Sequence, residues 1–128
     1  MKLIVTKELE QERDHALEYL CAIAPKVYHA EGITITPHAI MGKCQTNPLP
    51  ELRKILWRAL ANVGHSVTLI ARASNKNHAT VIAALRLVDE WKSPIVAKYY
   101  VEQLFMIEAV TNELMDYRNG RDKGATSC

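Results

Sequence analysis

Aromatic residues are scarce in this chain: one Phe, two Trp and five Tyr leave a core that must be built from aliphatic side chains. Breakers are few as well, and five Gly with five Pro do not make a loop-rich sandwich or a linker protein. Cys21, Cys44 and Cys128 are odd in number and form no CxxC pair. That argues against a disulfide framework and against a zinc finger, and it suits a reducing compartment. No apolar run approaches a bilayer span, and stretches such as Val81–Leu85 are the longest. Met1–Val5 leads straight into the charged stretch Lys7–Asp14, so no signal peptide is read. No membrane is expected, and cytoplasm is the expected location.

What is present is an ordinary globular balance. Apolar residues make up 48% and charged residues 23%, which excludes wholesale disorder, and 128 residues fit a single domain. The net charge is only +2, but it is unevenly spread. Residues 65–88 hold Arg72, Lys76 and Arg86 with no acid, and residues 31–64 add Lys43, Arg53, Lys54 and Arg58 against Glu31 and Glu51. Both ends of the chain are net negative. A basic centre is the footprint expected of a polyanion partner.

Helical periodicity runs from end to end. Thr6 can cap a first helix with a stripe at Leu9, Ala16, Leu20, Ile23 and Val27, and Gly32 is a natural stop. After the extended link Ile33–Ile35, Thr36-Pro37 reads as N-cap and first residue of a short helix, stapled by Ile35 and Ile40. Asn47-Pro48 opens the next helix, whose buried face is Leu52, Ile55, Leu56, Ala59 and Val63, and Gly64 ends it. Ser66 caps a short helix facing inward with Val67, Ile70, Ala71 and Ser74. A polar turn, Ser74–Asn77, leads to a second helix with Val81, Ala84, Leu85 and Val88 inward and Ala79, Ala83 and Arg86 opposite. Two short amphipathic helices joined by a tight turn, behind a longer support helix, form the pattern of a helix-turn-helix. Ser93-Pro94 opens a last helix with the stripe Ile95, Tyr99, Phe105 or Met106, Val110, Leu114 and Tyr117, stopped by Asn119-Gly120.

Within this frame His78-Ala79-Thr80 opens the would-be recognition helix, where such proteins place their contacts to base edges. Asn pairs with adenine, His donates to an acceptor, and the Ala methyl meets a thymine methyl. The bland alternative is that Asn77 caps, His78 is solvated and Ala79 is helix filler. Five histidines (His15, His29, His38, His65, His78) lack ligand spacing, and Cys44 with His38 lacks a third catalytic group. No catalytic residue, metal or cofactor is therefore read. Trp57 and Trp91 are expected in the core or a helix seam.

Residues Glu31 to Val88 resemble the C-terminal DNA-binding domain of the bacterial chromosomal replication initiator DnaA. The family opens its recognition helix with a GGRDHTTV-like string, and this chain reads Ser74-Asn75-Lys76-Asn77-His78-Ala79-Thr80-Val81, then Ile82–Val88. Upstream, His65-Ser66-Val67, Ile70-Ala71, Glu31–Thr34 and Met41-Gly42-Lys43 resemble the family's preceding helices and the start of its basic loop. The chain departs from the family at Lys76 for Arg, Asn77 for Asp and Ala79 for Thr, and its loop Cys44–Asn47 lacks arginines. No GxxxxGK[ST] string accompanies the match, so the initiator's ATPase is not here.

The resemblance implies an all-α helical bundle with a helix-turn-helix (Trp-repressor-like or like the initiator's C-terminal domain) that binds double-stranded DNA in replication or transcription control. Lys76, Asn77, His78 and Ala79 are expected at base edges. Lys43, Arg53, Lys54, Arg58, Ser66 and Thr80 are expected at phosphates. One helical domain over residues 1–117 is expected, with a helix-turn-helix core at about 31–89, flanking helices at about 6–30 and 93–117, and a flexible tail at 118–128. The acidic last helix suits a homodimer or a protein partner. The alternative is a protein-interaction module that keeps the fold and binds DNA weakly or not at all.

Overall fold

Thr6 starts the first helix by accepting the backbone N–H of Leu9 on its hydroxyl at 3.1 Å, which satisfies a donor that every helix start leaves unpaired. The computed structural model describes residues 6–28 and 34–126, with side chains as far as residue 120. Over these residues the order is α1 (Lys7–Val27), α2 (Pro37–Met41), α3 (Leu49–Asn62), α4 (Val67–Ala73), α5 (His78–Glu90), a 3₁₀ turn (Ala97–Tyr99) and α6 (Val101–Thr126). No strand occurs among the described residues. The Gly32 stop and the Glu31–Ile33 part of the resemblance lie outside them.

The architecture is an all-α bundle whose long first and last helices pack along one another. α3 is the central element and touches α1, α2, α4, α5 and α6. It can do so because Leu52, Ile55, Leu56, Ala59 and Leu60 are all fully buried, covering more than one side of the helix. Leu9, Ala16 and Leu20 of α1 meet it, as do Met106, Val110 and Leu114 of α6 and Val81 and Val88 of α5. Each fully buried Leu, Ile or Val of this kind contributes about 1.5–3 kcal/mol relative to exposure. Thr36, Ser66 and Asn77 cap α2, α4 and α5 through their side chains, as their positions in the sequence indicate.

Among the described residues, two charged side chains are buried inside this aliphatic mass. Glu12 of α1 is 1% exposed, and its carboxylate accepts from Arg118 of α6 at 2.6 Å and 3.3 Å. His65 Nε2 lies 3.1 Å from the same carboxylate, and Arg118 also donates to the Val63 carbonyl at 3.0 Å. One carboxylate thus joins the two terminal helices to the link between α3 and α4. Arg53 is the second buried charge, and it belongs to the candidate site.

The C-terminal third departs from the expected helix over 93–117. Ser93 does not cap a helix; its carbonyl accepts from Val96 and Ala97 in a turn, and α6 begins only at Val101. The Tyr100 ring stacks on Trp91, 4.8 Å between centroids, so the chain folds back at the end of α5 before the long helix can start. Asn119-Gly120 does not stop α6, which continues to Thr126 through much of the expected 118–128 tail. Gly120 has open space where a side chain would project, and a lone exposed glycine lowers helix stability by about 1 kcal/mol without ending the helix. Met106, rather than Phe105, takes the inward position.

Candidate nucleic-acid interface

The turn between α4 and α5 is fixed by α1 and α3 and by its own backbone. Arg13 reaches over from α1 and donates to the Ala73 carbonyl at 2.7 Å, satisfying one acceptor at the end of α4. Trp57 of α3 donates its indole N–H to the buried Ser74 hydroxyl at 2.9 Å. Asn75 takes φ 54°, the left-handed conformation that Asn tolerates better than most residues. Asn77 then caps α5 by accepting the Ala79 N–H at 2.8 Å. The outcome is a helix that presents its first turn to solvent: Asn77, His78, Ala79 and Thr80 are all exposed. Ala83, Arg86 and Leu87 continue that bare row, while Val81, Ala84, Leu85 and Val88 are buried beneath it.

Beside this helix start lies the loop that follows α2. The buried Arg53 guanidinium donates to the carbonyls of Ile40 and Cys44, pinning both ends of residues 41–44 to α3. Lys76, in the turn before α5, donates to the Gly42 carbonyl at 3.0 Å and ties the same loop to the interhelical turn. Lys43 is exposed at its tip. Three cations therefore gather here: burial, then the charges of Arg53 and Lys43, hold the Lys76 ammonium below the ordinary lysine range. Burial likewise lowers Arg53. Hydrogen bonds from Thr46 lower the exposed Cys44 thiol in the same loop, with the Arg53 charge adding to the effect.

The expected contact residues do not all meet. Lys43, Lys76, Asn77, His78, Ala79 and Thr80 share one end of the molecule, around the start of α5. Lys54 is half-buried and lines a shallow groove with Gln45, Trp57, Thr80, Ala83 and Leu87, at the edge of that surface. Ser66 is exposed but sits at the far end of α4, its hydroxyl accepting from Leu69. Arg58 belongs to the other end of α5, where it pairs with Asp89 at 3.2 Å and bonds Asn62. His78 and Asp89 are separated by about 16 Å along the helix at 1.5 Å per residue.

Arg53, expected at a phosphate, is instead 5% exposed and donates from two of its nitrogens to the Ile40 and Cys44 carbonyls. Position 53 lies off the expected row Leu52, Ile55, Leu56, Ala59 and Val63, so its burial follows only from the loop packed over it. Arg86, on the bare row of α5, was visible in the sequence as an outward cation but not counted among the contacts.

Compared with protein-family models, characterised proteins and solved structures, the chain matches none. No helix among the described residues is long and apolar enough to cross a membrane.

Proposed function

We propose that the chain binds double-stranded DNA, with α4, the turn Ser74–Asn77 and α5 acting as a helix-turn-helix whose first α5 turn enters the major groove, in replication or transcription control. The observation that carries this reading is the gathering of Lys43, Lys76 and Arg53 beside the exposed start of α5, in a stretch of sequence (65–88) that has no acid. Like charges held together weaken a fold unless a partner of opposite charge meets them. The start of a helix adds its own positive potential toward a phosphate.

The chemistry of the bare surface fits base-edge reading. Asn77 keeps an amide N–H₂ beyond its capping oxygen, His78 offers ring nitrogens, Thr80 a hydroxyl and Ala79 a methyl that suits thymine. Asn75 adopts the left-handed turn position that the resembled string fills with glycine, which supports the resemblance in geometry as well as in letters. Lys43, Lys54 and Arg86 are the phosphate-facing cations in this arrangement, with Arg53 acting through the loop it holds.

Titration against duplex DNA at several salt concentrations tests the reading. With about three phosphate contacts, log K falls against log salt with a slope of roughly −2.7. Asn77→Ala or His78→Ala weakens the preferred duplex by about 1–3 kcal/mol and random duplex much less. No binding at low salt, or a slope near zero, removes the DNA reading and favours the protein-interaction alternative.

A further inference from the structure

Between α3 and α5 runs a groove of about 190 Å³. Its walls are mostly apolar, with Pro50 and the Trp57 ring on the α3 side and Ala83 and Leu87 on the α5 side. Two cations also line it. Arg53 is buried, and its Nε and Nη2 donate to the Ile40 and Cys44 carbonyls, which leaves Nη1 without a hydrogen-bond partner among the described residues. Lys54 is half-buried, and its ammonium makes one long contact, 3.5 Å to the Pro50 carbonyl. Neither side chain forms an ion pair with a carboxylate among the described residues. Burial pushes the Lys54 ammonium below the ordinary lysine range; Glu51 opposes that shift and the Arg53 charge adds to it. Cations withdrawn from water are ordinarily met by an opposite charge. These two line a groove instead.

We infer that the groove binds a small organic anion, a carboxylate carried on a ring-sized apolar body. Small-molecule sites combine apolar walls with a few convergent polar groups that fix orientation, and this groove has both. Its size sets the body. A cavity of about 150 Å³ admits benzene, so the groove has room for one such ring with a short arm. Its charge sets the arm. A carboxylate has two oxygens, one for Arg53 Nη1 and one for the Lys54 ammonium, and both bonds are charge-assisted. Bare phosphate would answer the cations but gain nothing from Pro50, Trp57 and Leu87, whereas a neutral ring would do the reverse. A cationic ligand would be repelled by both side chains. The inference does not rest on the DNA reading, because the packing of α3 on α5 forms the groove whatever α5 meets. Lys54 is the cation that the groove shares with the phosphate-facing set.

Phenylacetate is the probe, with phenylacetamide as its neutral counterpart and inorganic phosphate as a bare oxyanion. The isotope-labelled full chain, without DNA and at constant ionic strength and neutral pH, is titrated with each and followed by NMR. Phenylacetate gives saturable shifts confined to residues 45–57 and 80–87, with a Kd on the order of 1 mM, the range open to so small a molecule. Phenylacetamide binds at least about 10-fold more weakly. Lys54→Met, which keeps the length of the side chain and removes its charge, weakens phenylacetate at least about 5-fold. Ala83→Phe, at an exposed position on the α5 wall, fills the groove and removes the shifts. Circular dichroism of both variants matches wild type. No saturable shift at the groove up to tens of millimolar phenylacetate overturns the inference, and so does a Lys54→Met chain that binds as wild type does. Equal affinity for phenylacetamide overturns it because the cations are then not engaged. Equal affinity for inorganic phosphate overturns it as well, since the groove then seats a bare oxyanion such as a duplex phosphate.

Discussion

Where α1 and α6 run together, the Glu12 carboxylate is 1% exposed and is met by Arg118 and His65, so charge is neutralised inside the fold. Around the start of α5, by contrast, Lys43 and Lys76 stand beside Arg53, and burial, then the charges of Arg53 and Lys43, make Lys76 harder to keep charged. The first cluster links three parts of the chain and faces inward. The second reaches solvent through the exposed Lys43, while Arg53 is buried on two carbonyls and Lys76 is tied to a third. A single sequence can therefore pair ionisable residues of opposite sign in one place and gather cations on backbone carbonyls in another.

Removing one member of the internal cluster is the harshest way to break this comparison. Arg118→Met takes the guanidinium away from the buried Glu12 carboxylate, and stability falls by about 3–5 kcal/mol in urea denaturation. Glu12→Gln costs less, because Arg118 keeps 34% of its side chain in contact with water and can be solvated. Equal costs for the two, or an Arg118→Met loss below about 1 kcal/mol, would mean that the cluster does not tie the helices. Under conditions where both variants stay folded, affinity for DNA is unchanged.

A second test sharpens the division within the cationic cluster itself. Arg53→Met strands two carbonyls and costs about 2–3 kcal/mol of stability, while the salt slope of DNA binding stays near that of wild type. Lys43→Ala gives the reverse pattern: unfolding is unaffected, and the slope loses about 0.9. The smallest effect belongs to Arg58. Its pair with Asp89, whose side chain is 58% exposed, contributes less than about 1 kcal/mol, and Arg58→Ala leaves DNA affinity as it was. A large drop in affinity for that variant would move the contact surface toward the C-terminal end of α5.

The helices were legible because their buried rows follow the 3.6-residue period imposed by the backbone. Leu9, Ala16 and Leu20, the α3 row from Leu52 to Ala59, and the α5 row from Val81 to Val88 all turn inward as read. The caps were legible for a similar reason, since Thr6, Thr36, Ser66 and Asn77 satisfy their own local backbone. What escaped depends on distance through space. Arg118 lies 106 residues from Glu12 in sequence, and nothing local to either position announces the other. Arg53 reads as a surface cation until the carbonyls of Ile40 and Cys44 are seen to need donors. Ser93-Pro94 reads as a helix start until Trp91 and Tyr100 are found stacked across it. In the candidate site, residue types were readable at the start of α5; the separation of Arg58 from His78 by most of that helix required the packing of α3 on α5.

The hydrogen bond from Trp57 to Ser74 also equips the molecule with an optical gauge. The indole is 4% exposed, yet it lines the groove beside Thr80 and Ala83, with its N–H tethered to the turn that α5 grows from. Any ligand that shifts α5 against α3 must stretch that tether or change the polarity over the ring. The second tryptophan, Trp91, is stacked on Tyr100 at the opposite end of α5. With Trp91→Phe as background, emission from Trp57 alone tracks events at the first turn of α5 in an unlabelled chain.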